Sequence, residues 1–210
     1  VVFAEAGFRI VGIDLDKDRV DSINRGVSYI QDITSKRLSD LVARGATAGQ
    51  LSGTTSYQAL DQADAVVVCV PTPLSKTKDP DLSYILSAVD EIAERLHHGM
   101  LVVLESTTYP GTTEEMVLPR LQRTDGRQLR VGEDFLLAFS PERIDPGRTD
   151  WTIHNTPKVI GGMTPRCRET GVALYRSIVQ QVFPVSSPRA AEMVKLLENT
   201  FRATNIGLVN

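Results

Sequence analysis

The sequence predicts an α/β fold, a mostly parallel sheet flanked by helices and followed by the start of a long α-helix. Three observations carry that expectation. The 210 residues are 41% hydrophobic and 23% charged, as in an ordinary globular chain. Short apolar runs alternate with helix-patterned segments over most of the length, the pattern of βαβ units joined by right-handed crossovers. Four of the runs also end in polar residues. Ile10-Val11-Gly12-Ile13 leads into Asp14, and Ala65 to Val70 into Pro71-Thr72. Leu101 to Leu104 leads into Glu105-Ser106-Thr107, and Phe135 to Phe139 into Ser140-Pro141-Glu142. As parallel strands of one sheet these runs would share one carboxyl edge, and ligands of open α/β sheets bind in the crevice outside it.

Each element has a local reason. Val1 to Ala6 reads as the last turns of a helix stopped by Gly7, and residues 9–14 as a strand. Asp16 can cap a helix from Lys17 to Asn24, with Gly26 as its stop, and Thr34 can cap another running to Ala43. A short strand near Gly53-Thr54-Thr55 and a helical turn over Tyr57–Ala63 precede the apolar strand 65–70. Asp79-Pro80-Asp81 opens the clearest helix. Leu82, Ile85, Leu86, Val89, Ile92, Ala93 and Leu96 mark one face of it, and Gly99 follows its end. Strand 101–104, a helix from Thr112 to Leu121, strand 135–139 and an irregular stretch through Trp151 come next. Strand 158–160, helix 165–178 and strand 182–185 complete the alternation. Ser186-Ser187-Pro188 is the best boundary, since Pro suits a first helical position. It divides a domain over 1–187 from a helix over 188–210. The chain reads as starting inside one helix and stopping inside another, so a first strand and a glycine-rich loop are expected before Val1.

Composition narrows the classes. The net charge of −3, with 23 basic and 26 acidic residues well mixed, argues against a dedicated nucleic-acid binder. No apolar run approaches the ~18 residues that span a bilayer, and no basic segment followed by an apolar one opens the chain as a leader would. Cys69 and Cys167 lack metal-ligand spacing, as do the histidines, so no metal is expected. Cys69, inside an apolar run, reads as a small buried hydrophobe. The default compartment is the reducing cytoplasm.

Several residues could carry chemistry. A carboxylate at Asp14 can accept both ribose hydroxyls of NAD and repels the 2′-phosphate of NADP, although a turn or cap role suits it equally. Pro71 and Pro73 fix the backbone around Thr72 and aim its hydroxyl beyond the sheet edge, unless the segment is only a rigid turn. Glu105-Ser106-Thr107-Thr108-Tyr109-Pro110-Gly111-Thr112-Thr113 places hydroxyls at a strand end and opens a helix whose free N–H groups suit an anion or a polarised oxygen. Thr112 with Glu115 could instead form a capping box, which leaves Thr107 unexplained. Glu142 could act as a general base or position a water, or pair with Arg143 at the surface. Glu192, Lys195 and Asn199 share one stripe of a helix that reads as buried on most sides. Lys195 and Asn199 are donors suited to an oxyanion, whereas a Glu192–Lys195 pair would be purely structural.

Together these segments resemble the UDP-glucose/GDP-mannose dehydrogenase family over essentially the whole chain. The resemblance rests on Val11-Gly12-Ile13-Asp14, Val70-Pro71-Thr72-Pro73, Glu105 to Thr113, Ser140-Pro141-Glu142-Arg143 and Glu192 to Thr200. Thr-Thr-Tyr-Pro-Gly and Pro-Glu-Arg-x-x-Pro-Gly look most like the branch acting on UDP-N-acetylhexosamines. The resemblance implies a Rossmann-type NAD domain over 1–187, with 188–210 starting a central linker and dimerisation helix. It implies a four-electron oxidation of the sugar C6 hydroxyl to a carboxylate through a cysteine thioester, that cysteine lying beyond Asn210. Catalytic roles would fall to Thr107, Glu142, Lys195 and Asn199, and cofactor contacts to Asp14, Arg19, Thr72 and Thr107. Glu142, Arg143, Ile144, Lys195 and Asn199 would border the UDP-sugar. Pro146 departs from the acidic residue that some members carry there, and neither Cys69 nor Cys167 has the nucleophile's glycine-rich context. A homodimer in the cytoplasm, with no nucleic acid or membrane partner, is the implied setting. A 3-hydroxyacid dehydrogenase and a non-catalytic nucleotide-binding module are the rival readings.

Overall fold

The computed structural model describes the chain except residues 31, 45–48, 74–79, 125 and 144–151 and the side chains of residues 124 and 127. Helix α1 (Val2–Glu5) leads through Gly7, at φ +99°, into β1 (Ile10–Ile13), α2 (Lys17–Asn24), α3 (Ser35–Val42) and β2 (Leu51–Thr54). The expected caps form. Asp16 accepts from the N–H groups of Asp18 and Arg19, and Thr34 from that of Arg37. A 3₁₀ turn (Tyr57–Gln62), β3 (Ala65–Val68), α4 (Ser83–Glu94) and β4 (Leu101–Leu104) follow. Strand β3 stops at Val68, two residues short of the expectation. Asp81 accepts from the Ser83 N–H at the start of α4, while Asp79 and the residues through Trp151 in the later loop lie outside the described residues.

The segment after β4 differs from a plain helix. Thr113–Val117 winds as a π-helix before α5 (Leu118–Gln122), where Pro119 stands in the first turn. Pro119 lacks the N–H that would continue the regular ladder, which accounts for the wide turn before it. The Thr112–Glu115 capping box does not form. Thr112 Oγ1 donates to the Tyr109 carbonyl at 2.7 Å, and Glu115 takes Arg189 at 2.7 Å. The two-residue strands β5 (Arg123–Thr124) and β6 (Arg127–Gln128) pair antiparallel, then β7 (Leu136–Phe139), β8 (Lys158–Gly162), α6 (Pro165–Arg176), β9 (Val182–Val185) and α7 (Pro188–Val209) complete the chain.

The four polar strand ends do not belong to one sheet. Strands β1 and β2 form their own parallel pair, and the main sheet runs β3-β4-β7-β8-β9. Ile13 joins the two by packing on the core under the 3₁₀ turn. Strands β3, β4 and β7 are parallel, as expected, whereas β8 runs antiparallel to β7 and β9 follows β8. Period-2 alternation in β4 and β7 explains the layers. Val102, Leu104, Leu137 and Phe139 face the core under α4. Leu101, Val103, Leu136 and Ala138 face Cys167, Val172 and Tyr175 of α6 on the other side. Both faces are covered, so these strands read as unbroken apolar runs.

Helix α7 departs most from expectation. Ser187 caps it, accepting from the Ala190 N–H at 3.1 Å, and Pro188 fills its first turn. Only Pro188, Ala191 and Glu192 are buried, while Met193, Leu196, Leu197 and Phe201 are exposed. Buried on most sides was the expectation, but its buried residues are confined to its base, and beyond them Lys195 and Glu198 bond to the residues that follow β7. The crossing over β8 is close: a Cβ on Gly161 would lie 2.1 Å from the Ser187 carbonyl oxygen, so the position needs glycine.

Candidate active site

The ends of β4 and β7, the start of β8 and the first turns of α7 meet in one polar cluster. Its centre is Glu105, one residue past β4, whose side chain is 13% exposed. Glu105 Oε1 accepts from the Tyr175 hydroxyl at 2.6 Å and lies 2.6 Å from Lys158 Nζ, and Oε2 accepts from the Cys69 thiol at 3.3 Å. Lys158 is itself buried, sits 5.2 Å over the Tyr175 ring and reaches Glu142 Oε2 at 3.4 Å. A buried ammonium needs paired anions, and Glu105 supplies the nearer one. Cys69 is exposed one residue beyond β3, which corrects its reading as a buried strand residue. Crowding around its sulfur, and then the Glu105 carboxylate, push its thiol pKa far up. Burial first, and Glu105 second, raise Tyr175 in the same direction. At neutral pH both therefore stay protonated and act as donors.

Glu142 follows β7 by three residues and keeps its side chain 48% exposed. Its Oε1 accepts the Arg143 N–H at 2.7 Å and its carbonyl accepts Lys195 Nζ at 2.6 Å, so Lys195 does reach the same strand end. The Arg143 guanidinium is already engaged by neighbouring groups. It grips both Glu198 oxygens and donates to the Pro157 carbonyl at 2.9 Å, which ties α7 to the loop before β8. Asn199 is exposed one residue further along α7, and Ile144 lies outside the described residues. Thr107 is exposed past β4 and Thr72 half-buried past β3.

The N–H groups proposed for an anion are already occupied. The fully buried Glu192 carboxylate accepts from Gly111 N–H at 2.6 Å, Thr113 N–H at 2.9 Å and the Thr113 hydroxyl at 2.7 Å. Its own carboxyl group is thus the anion at that turn, and the Glu192–Lys195 pair does not form. Burial raises the Glu192 pKa, against the opposing pull of those three donors.

Asp14 ends β1 in the smaller sheet. Its Oδ1 accepts the Asp16 N–H at 2.9 Å and its Oδ2 lies 3.5 Å from Arg19 Nη1. The carboxylate is one-third exposed, and its four lone-pair sites leave acceptors for further donors. Among the described residues no group of three or more His, Cys, Asp or Glu could hold a metal ion, and no helix is long and apolar enough to cross a membrane.

Sequence comparison matches residues 1–179 to the NAD binding domain of the UDP-glucose/GDP-mannose dehydrogenase family. The chain belongs to that family. It is 38% identical over 211 residues to a UDP-N-acetyl-D-mannosamine dehydrogenase of Pyrococcus horikoshii, covering 100% of this chain and 49% of the relative. It is 36% identical to a UDP-N-acetyl-D-glucosamine 6-dehydrogenase of Pseudomonas aeruginosa, covering 96% and 46%. Among solved structures, a UDP-D-ManNAc dehydrogenase from Pyrococcus horikoshii superposes with a TM-score of 0.88 at 38% identity, covering 99% of this chain and 48% of that one. The chain spans about half the length of the curated relatives it matches.

NAD is the cofactor of this family domain. The residues present fit it. Asp14 projects a partly free carboxylate from a strand end, the acceptor that donating ribose hydroxyls require, and Thr72 and Thr107 offer hydroxyls at other strand ends. Sequence reasoning missed Lys158 and Tyr175, and it gave Glu105 and Glu198 no role. A lysine directly before the apolar Val159-Ile160 was the available signal, but it points to the crevice only once β8 is known to run backwards.

Proposed function

We propose that this chain is the cofactor half of an NAD-dependent nucleotide-sugar 6-dehydrogenase, oxidising the C6 hydroxyl of a UDP-N-acetylhexosamine to a carboxylate. The observation that carries the reading is the meeting of Lys195 with Glu142 past the end of β7, with the exposed Thr107 past the end of the neighbouring strand β4. Bound NAD supplies a hydride acceptor. Asp14 and Arg19 hold its adenosine end, and Thr72 and Thr107 line the approach to the sheet. Lys195 and Asn199, on one stripe of α7, stand where donors stabilise oxygen charge at C6. Glu142 orients a water or takes a proton. Glu142, Lys195 and Asn199 border the sugar. Arg143 serves that border through its grip on Glu198 rather than by a contact of its own.

The relatives named for UDP-N-acetyl-D-mannosamine and UDP-N-acetyl-D-glucosamine support the hexosamine branch. The domain over 1–187 binds cofactor, and 188–210 begins a linking helix whose exposed Leu197 and Phe201 suit a homodimer contact. Two free thiols fit a cytoplasmic setting in the supply of precursors for polysaccharide synthesis. The complete reading frame should release about two NADH per UDP-N-acetylhexosamine consumed, one for each hydride. A stoichiometry of one, or no turnover on any UDP-sugar, refutes the reading.

A further inference from the structure

Lys158 is a buried cation to which no role has been given. It opens β8, and the reversal of that strand brings its first residue to the carboxyl edge of β4 and β7. We propose that Lys158 is a positioning residue for the dehydrogenation, spanning the ends of β4 and β7 to fix the Glu142 carboxylate in the crevice beside Lys195.

The geometry is that of a lever seated in the core. Tyr175, 1% exposed, donates to Glu105, and Glu105 fixes the Lys158 ammonium at 2.6 Å. The ring of the same tyrosine faces that ammonium at 5.2 Å, a cation–π contact that locks the lysine stem further. From this seat Nζ reaches outward to Glu142 Oε2 at 3.4 Å. Glu142 is then held at both ends by lysines, Lys195 on its carbonyl and Lys158 on its carboxylate. Glu105 alone could neutralise a buried ammonium. The second contact joins the buried seat to a half-exposed carboxylate at the proposed reaction centre, where placement decides rate.

The inference rests on the proposed dehydrogenase reading and is tested in the complete reading frame by NADH release from a UDP-N-acetylhexosamine. Lys158→Met should lower kcat by about 10²-fold, with the KM for NAD unchanged, because misplacing a reacting group by about 1 Å costs that much. Lys158→Arg should restore most of kcat, since a guanidinium bridges two carboxylates. Glu105→Gln/Lys158→Met removes the buried cation together with its counter-charge, so it folds even where Lys158→Met alone does not, and its kcat should stay low. Wild-type kcat in either methionine variant, or equal loss in kcat and KM in all three, overturns the proposal. If the wild type turns over no UDP-sugar, the functional reading fails separately. The positioning is then read on the 210-residue chain from carbon relaxation of the Glu142 side chain. That side chain should be ordered in wild type and Lys158→Arg and disordered in Glu105→Gln/Lys158→Met, and equal order in all three overturns the proposal.

Discussion

Replacing Glu192 with alanine tests how α7 is held to the rest of the chain. Its carboxylate joins the base of α7 to the turn before the π-helix through three donors, from Gly111 and twice from Thr113. Hydrogen bonds to a charged group contribute about 1.5–3 kcal/mol each, roughly 5–9 kcal/mol for three. Desolvating an ionised carboxylate takes back several kcal/mol. The net is about 2–4 kcal/mol, and the side-chain methylenes add roughly 0.8 kcal/mol apiece. Glu192→Ala strips the acceptor from two N–H groups and a hydroxyl that water does not reach, so we expect a loss of about 3 kcal/mol. For a chain of this length that lowers Tm by about 6–12 °C. Glu192→Gln should fall between the two, because its amide oxygen still serves Thr113 while its NH₂ meets the Gly111 N–H donor to donor. Calorimetry and urea unfolding at pH 7 measure the series. A Tm for Glu192→Ala within about 2 °C of wild type refutes the anchoring role.

Glu5 and Glu192 should respond to pH with opposite sign. The Arg37 hydrogen bond holds Glu5 below its ordinary value, so its contribution is present above the unfolded pKa and is lost as pH falls through the folded one. Glu5→Gln should therefore cost about 0.5–1 kcal/mol at pH 7 and nothing under strongly acidic conditions, by urea unfolding. Burial raises Glu192, so its contribution is fully present below the unfolded value and falls as pH rises through the folded one, which makes Glu192→Ala more costly at pH 4 than at pH 7. Equal pH dependence of the two variants contradicts both assignments. Gly161→Ala forces a Cβ to 2.1 Å from the Ser187 carbonyl oxygen and should cost at least about 1–3 kcal/mol in thermal unfolding, while Gly99→Ala, with nothing within 4 Å, shows only the cost of its positive φ. Cys69, though exposed, should react with iodoacetamide far more slowly at pH 8 than a free thiol of pKa about 8.5, and Glu105→Gln should accelerate it. Alkylation of Cys69 at the free-thiol rate would show that its proton is not held as described.

Much of the local structure was legible in the residues. Asp16 and Thr34 cap the helices they were expected to cap, and Pro188 stands in the first turn of the helix it was expected to open. The strands 101–104 and 182–185 fall on the expected residues. The strand ends also named the right neighbourhoods, since Glu142 and Lys195 do meet. These signals work because a cap, a period or a glycine stop acts within a few residues of itself.

What sequence alone determined is therefore most of the elements, though not the β5–β6 pair or the π-helix, together with the family motifs and the polar groups available at each strand end. Tertiary structure decided which of those groups share a site. Strand direction put Lys158 at the crevice, the crossing at Gly161 set where α7 begins, and Glu192 took the N–H groups of a turn 81 residues away. Arg143 turned to Glu198, and Asp14 ended in a separate sheet. Each of these outcomes depends on pairing and burial between distant segments. No local preference encodes them, because a charged side chain settles wherever the assembled fold offers its counter-charge away from water.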